Sequence, residues 1–338
     1  MQKLSLALAV VLGSGIAAAQ QRGGGQPQPA RDVSIAAIPG VVAAGAAWSI
    51  AWQGTDNADG IVGTDDGGLL FAQEQPNHIS KLDRNDRVSV FLSDTHGAGA
   101  LSVDSRGRIV AVERTCTDPG RNAAAGSCNE PTAIAVLAPE RKTLADNMDG
   151  RPLGRLNDLV VAKNGSVYFT SGGAFRLDPA GRVTSLAGNG DSSNPIRANG
   201  IMLSRDERVL YVTNGNVVVA FDVQPDGATT NRRDFGVLEA GGAGDGMAID
   251  AEGRLYVTSN PGVQVFSMDG EYLGLIPSPR GAISVAFSGA GKNMLYIVGS
   301  GALGADGREA VTAAGVRNNA KTIYRLPTIA AGFSGRPK

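Results

Sequence analysis

Histidine is almost missing from this chain: of 338 residues, two are histidines, His78 and His96. No Gly-x-Ser-x-Gly elbow is present either, so covalent Ser-His-Asp catalysis lacks its parts. His78 reads as a surface residue heading an outer strand, and His96 as a solvated loop residue. Cysteine is as scarce. Cys116 and Cys128 enclose a loop rich in Gly, Ala and Asn, and no further soft ligands lie nearby to make a metal site with them. No apolar run is long enough for a comfortable membrane span. The formal net charge of -1 provides no general attraction to nucleic acid or an anionic membrane, and no basic run interleaves with aromatics. Neither is an expected partner. Also lacking, between apolar strands, are the ten-residue amphipathic patterns that doubly wound and barrel α/β folds require.

What is present begins with an export signal. Lys3 is a short basic region, residues 4–16 are apolar, and Ala17, Ala18 and Ala19 offer a small-residue cleavage site, the pattern of a secretory signal peptide over residues 1–19. A soluble protein in the periplasm, or secreted to the medium, is expected. In that oxidising setting Cys116 and Cys128 are expected to form a disulfide that staples their loop. Residues 20–31, "QQRGGGQPQPAR", have the composition of a flexible linker. Residues 32–338 are ample for one domain with its own core.

That domain repeats itself. Six segments share an apolar strand, a turn and a second strand rich in Val, Tyr and Leu. They are "DGIVGTDDGGLLFA", "GALSVDSRGRIVAV", "NDLVVAKNGSVYFT", "NGIMLSRDERVLYVT", "DGMAIDAEGRLYVT" and "ISVAFSGAGKNMLYI". They start at 59, 99, 157, 199, 245 and 283, and the one long interval holds the cysteine insertion. Each reads as a hairpin, with further strand-like runs such as "HISKLD" and "VVVAFDV" between copies. This period is that of a propeller blade. The fold class is therefore all-β, a six-bladed β-propeller. The last repeat is followed by one clear strand, "TIYRLPT", so an N-terminal strand is expected to complete the sixth blade. "DVSIAAI" (32–38) is the candidate. Trp48 and Trp52 alternate with polar residues in an edge strand and read as packing.

In a propeller the first strand of each repeat runs along the central channel, and its first residue sits at one rim. Aligned on the turn glycines Gly67, Gly107, Gly165, Gly253 and Gly291, that position holds Asp59, Gly99, Asn157, Asn199, Asp245 and Ile283. The fourth copy lacks the glycine and carries one extra residue. Pseudo-rotation brings the four oxygen-bearing side chains toward one axis. Two carboxylates and two amides form a hard, all-oxygen set suited to a divalent cation, Ca²⁺ before Mg²⁺. Each Asx-Gly pair is also a common turn dipeptide at strand entry. Coincidence at one aligned position is what favours a metal site. Asp65, Asp66, Asp104 and Asp250 are assigned to turns, and Glu74 is an outside candidate for contact near the funnel.

The stretches "GRPLGRLNDLVVAKNGSVYFT", "RANGIMLSRDERVLYVTNG" and "GDGMAIDAEGRLYVTSNPGVQVFSMDGEYLGLIP" resemble the family of senescence marker protein, gluconolactonase and luciferin-regenerating enzyme. The similarity covers nearly the whole mature chain. It implies one divalent cation in the funnel of a six-bladed propeller acting on lactones or related esters. By this resemblance Asp59, Asn199 and Asp245 match the cation ligands, Asn157 matches a contact to metal water or substrate, and Arg155 matches a substrate contact; the residues themselves also leave Zn²⁺ and Mn²⁺ open as the cation. The family's first-blade ligand is usually Glu, one methylene longer than Asp59, and the family's Asp-Pro after "YFT" is replaced by "SGGAF". The expected chemistry is lactone hydrolysis with Asp245 as base, Arg155 holding hydroxyls or the developing oxyanion, and Asn157 orienting water or substrate. Competing expectations are a non-catalytic Ca²⁺-binding propeller for a sugar or protein, a paraoxonase-like arylesterase, and a strictosidine-synthase-like condensing enzyme.

Overall fold

The structure, a computed structural model, describes residues 30–54, 56–114, 131–186, 195–304, 310 and 321–335. The expected signal peptide, most of the expected linker and the expected Cys116–Cys128 disulfide lie outside these residues. Six four-stranded antiparallel sheets follow one another around an axis, and each is a blade. The first to fifth blades are built in chain order. Their innermost strands are Ile61–Gly63, Ala98–Val103, Leu159–Val161, Ala198–Leu203 and Met247–Ile249. The sixth blade starts on Ala282–Ser288, continues through Met294–Ser300 and Lys321–Pro327, and takes its outer strand from the N-terminal side.

Each blade lies between two others, so its inner strands are covered on both faces. This is why they read as unbroken apolar runs rather than an alternation. Leu159, Val160, Met247 and Ala248 are fully buried, as is Val62. Outer strands such as Val88–Ser93 and Thr229–Val237 are largely exposed. Turn chemistry repeats as well. Asp104 and Asp250 each accept two backbone N–H groups within their hairpin turns and an ion pair from the arginine four residues on. Asp66 accepts from Thr64, Gly68 and Lys81. These aspartates serve turns, as their positions imply. Gly67, Gly107, Gly165 and Gly253 adopt positive φ in four hairpins, while in the fourth blade Glu207 takes the left-handed conformation itself. In the sixth blade Gly289 and Lys292, not Gly291, carry positive φ.

The ring is closed by an N-terminal strand, but not by residues 32–38. The closing strand is Ser49–Gly54, paired antiparallel with Lys321–Pro327. Its Trp52 ring lies 4.9 Å from that of Phe71 in the first blade, and Trp48 Nε1 donates to Pro277 O at 2.8 Å. Residues 32–38 have a different task. Ile35, Ile38, Val41 and Val42 are buried among Tyr256, Ile276, Phe287 and Leu295, where they cover the junction of the fifth and sixth blades. A hydrophobic cover needs apolar contacts but no ladder partner, and the Pro39-Gly40 turn would interrupt a ladder. Arg31, assigned to the linker by composition, is docked here through Pro279 O, Ser278 O and Asn260 O. Among the described residues no helix is long and apolar enough to cross a membrane.

Candidate active site

The rim residues of the first, third and fifth blades are positioned by the same bond. Asp59 N donates to Ala72 O, Asn157 N to Thr170 O and Asp245 N to Thr258 O. Each residue thus prolongs the ladder just beyond the assigned strand, while Asn199 lies inside Ala198–Leu203. The threonine ending "VYFT", "LYVT" and "LYVT" is buried in all three copies. Thr170 Oγ1 donates to Asn199 O at 2.6 Å, Gly200 N donates to Thr213 Oγ1 at 2.7 Å, and Thr258 Oγ1 donates to Gly246 O at 3.0 Å. These hydroxyls pin the backbone from which the polar side chains project.

The glycine after each rim residue has a reason distinct from turn formation. Gly60, Gly200 and Gly246 do not have positive φ. A Cβ on Gly200 would lie 2.0 Å from Asp245 O, and one on Gly60 2.5 Å from Ala100 Cα. The blades approach one another too closely at the axis for any side chain. In the third blade Asp158 stands at that position instead. Its Oδ1 accepts from Leu159 N at 2.8 Å and its Oδ2 from Ile201 N at 3.1 Å, which fastens the third blade to the fourth.

All four oxygen-bearing rim residues converge. Asp59, Asn157, Asn199 and Asp245 line one small cavity together with Arg114, Asp158 and Ser284. Asn157 Nδ2 donates to Asn199 Oδ1, and Asn199 is hydrogen-bonded in turn to Asp245. Ser284 Oγ stands 3.5 Å from Asp59 Oδ1. Burial, and then the charges of Asp59 and Asp158, push the Asp245 carboxyl up to about 8 against the opposing pull of Arg114 and Asn199. Above this floor the funnel widens, and Arg155, Ile283, Ser300 and Lys321 line its wall with the same rim residues. Arg155 is thus at the mouth of the funnel.

Arg114 was not anticipated from the sequence. Its side chain is 2 % exposed and reaches the floor from the end of Ile109–Glu113. Nε donates to Leu156 O at 2.8 Å, Nη1 to Asp59 Oδ2, and Nη2 to both Asn157 O and, at 3.2 Å, Asn157 Oδ1. Behind it is Glu74, buried, with Oε2 3.6 Å from Nη1. Burial works against the Arg114 charge, but Asp59 and Glu74 outweigh it and hold the guanidinium above its ordinary range. The available sequence signal was Gly99, the one aligned rim position with no side chain. A Cβ there would lie 2.1 Å from Arg114 Cζ. His78 and His96 do not line this site: His78 Nε2 meets Gln73 Oε1 at 2.9 Å, and His96 stays in the half-buried loop before Ala98–Val103.

Among the described residues no trio of Asp, Glu, His or Cys side chains forms a metal cluster, so amide oxygens must complete any cation site. Asp59, Asn199 and Asp245 meet that condition. They are oxygen donors in contact or sharing one cavity, and they include two carboxylates to balance a dication.

The Zymomonas mobilis protein named gluconolactonase is 28% identical over 255 residues, which cover 63% of this chain and 67% of that one. A Staphylococcus aureus protein named lactonase drp35 is 33% identical over 138 residues, covering 37% of this chain and 42% of its own. The chain thus spans about two thirds of the first relative and under half of the second. Among solved structures, a gluconolactonase from Xanthomonas campestris superposes with a TM-score of 0.67 at 22% identity, covering 91% of this chain and 99% of that one. A calcium-binding protein, regucalcin, from Agrobacterium tumefaciens superposes at 0.61 and 16% identity, covering 85% and 95%. These structural likenesses carry the propeller fold. Residues 57–301 match the family model described as the SMP-30/Gluconolactonase/LRE-like region, a span that holds every rim residue, and the chain belongs to that family.

Proposed function

We propose that this protein is an exported hydrolase that opens a lactone with the help of one divalent cation. The observation carrying the reading is the ring of Asp59, Asn199 and Asp245 at the floor of a funnel with Arg155 on its wall. Relatives named gluconolactonase and lactonase support the reaction class, and a neighbour described as calcium-binding supports the cation. Asp59, Asn199 and Asp245 would hold the ion, with Asn157 alongside. The hard oxygen set favours Ca²⁺, with Mg²⁺ or Mn²⁺ next and Zn²⁺ least suited. When bound, such an ion supplies Lewis acidity toward the ester carbonyl and lowers the pKa of a neighbouring water.

The chain's own residues do the rest. Asp245 accepts the proton of the attacking water, a role open to a carboxylate placed where it can also steer that water. Arg155 donates hydrogen bonds to substrate hydroxyls or to the developing oxyanion. Asn157, held between Arg114 and Asn199, keeps the polar floor in one arrangement. The test is a pH-indicator assay over sugar and aliphatic lactones, with and without chelator. Turnover lost in chelator and restored by Ca²⁺ is the expected result. Absence of turnover on every lactone would leave a binding propeller, and turnover confined to aryl esters would make it an arylesterase.

A further inference from the structure

Arg114 is a guanidinium with no acceptor, and that fact sets the direction of every hydrogen bond across the floor. Because Nη2 donates to Asn157 Oδ1, the amide nitrogen of Asn157 must face the other way, and it donates to Asn199 Oδ1. Asn199 is hydrogen-bonded in turn to Asp245. On its other arm Arg114 engages Asp59 Oδ2, leaving Oδ1 toward Ser284. The fork joins three blades: the second, from which it comes, the first through Asp59 and the third through Leu156 O and Asn157. Its seat exists because Gly99 has no side chain.

We infer that Arg114 is a resident counter-cation of this ring, which holds Asp59 and both amides in register without a metal and competes with the divalent ion for the same oxygens. The inference rests on the cation reading above. Two consequences follow from geometry. Asp59 offers the ion a single oxygen, and Asn157 turns its oxygen to Arg114 rather than to the ion, acting as a positioning residue. A fixed positive charge beside the ligands also lowers affinity for a dication. The site is therefore built for a weakly held, exchangeable ion.

The test is calorimetric titration of Ca²⁺ into chelator-stripped protein, paired with thermal unfolding in chelator, for the parent, Arg114→Met and Arg114→Lys. Removing the charge in Arg114→Met should tighten Ca²⁺ binding at least tenfold. The same change should lower the unfolding temperature in chelator by about 5 °C or more, because Asp59 and Glu74 lose their partner. Arg114→Lys keeps the charge without the fork and should bind within threefold of the parent. Equal or weaker binding by Arg114→Met, or tightening by Arg114→Lys as well, overturns the inference while leaving the cation reading intact. If the parent binds no Ca²⁺ and Arg114→Met does, the counter-cation role stands and the cation reading of the parent fails; if neither binds, both fail. Should Arg114→Met not fold, Gly99→Ala replaces it. That change displaces the guanidinium from its seat and should tighten binding at least threefold, and no tightening there overturns the inference.

Discussion

Replacing Asp245 with Asn should uncouple cation binding from protons. The cation-free carboxyl is pushed up to about 8, first by burial and then by Asp59 and Asp158. Below that pH an incoming ion must expel a proton, so Ca²⁺ affinity should fall about tenfold per pH unit. Between pH 8, where half the carboxyl is already protonated, and pH 6 the loss is about fiftyfold, or roughly 2.3 kcal/mol. Stability in chelator has the opposite sense. The folded state keeps this proton up to about pH 8, whereas an ordinary aspartate releases it near 3.8. Folded protein therefore binds more protons across that window, and this group's contribution declines as pH rises through it. The turn carboxylates Asp66 and Asp104 have depressed pKa values and behave in reverse, losing their contribution as pH falls. The difference between parent and Asp245→Asn isolates the one group. Calorimetry at pH 6, 7 and 8, in buffers of different ionisation enthalpy, should show close to one proton released per ion at pH 6 for the parent. Asp245→Asn should bind Ca²⁺ weakly at every pH and unfold at a higher temperature than the parent in chelator at pH 8. A parent affinity that is flat from pH 6 to 8, with no proton release, would refute the reasoning.

Arg155→Ala should lower kcat/KM on a hydroxylated lactone by about 10- to 100-fold, since it removes a charged hydrogen-bond donor from the funnel wall. Its unfolding temperature should stay near the parent's, and unchanged kinetics would remove Arg155 from the substrate. Arg141→Ala strips a bidentate partner, at 2.9 and 2.8 Å, from the fully buried Glu113. It should cost about 3 kcal/mol in urea unfolding, and a loss within error of zero would show that Glu113 is otherwise neutralised. Gly200→Ala would set a methyl 2.0 Å from Asp245 O. It should destabilise by about 2 kcal/mol or more and weaken Ca²⁺ binding as the fourth and fifth blades part, whereas parent-like behaviour in both would mean the axis is less tightly packed than described.

The repeat made most of this legible in advance. A strand covered on both faces leaves a local mark, an apolar run of fixed length beside a turn, and six such marks define the blades. The rim residues could be aligned because each bonds to its own blade's second strand, as Asp59 does to Ala72 and Asp245 to Thr258. Residues 32–38 misled because an apolar stretch marks burial without saying against what. The same burial serves a strand in a ladder and a cover over a junction, and Ser49–Gly54, with exposed Ile50, looked less like core than the segment it outcompeted. The Asx-Gly pairs were ambiguous between turn and rim until the glycines proved to mark close contact between blades.

Local sequence, then, determined the number of blades, the closure of the ring by an N-terminal strand and the four polar positions that face the axis, because those depend on periodicity and on pairing between neighbours. The tertiary structure alone decided how these positions share the floor. Arg114 enters from the far end of a different strand, into space that Gly99 vacates, and an arginine's reach of several bonds leaves no periodic trace. Direction in the chain from Arg114 through Asn157 to Asn199 is likewise a property of the assembled ring, because a hydrogen bond is oriented by its partners, and these partners meet only when the blades close around the axis.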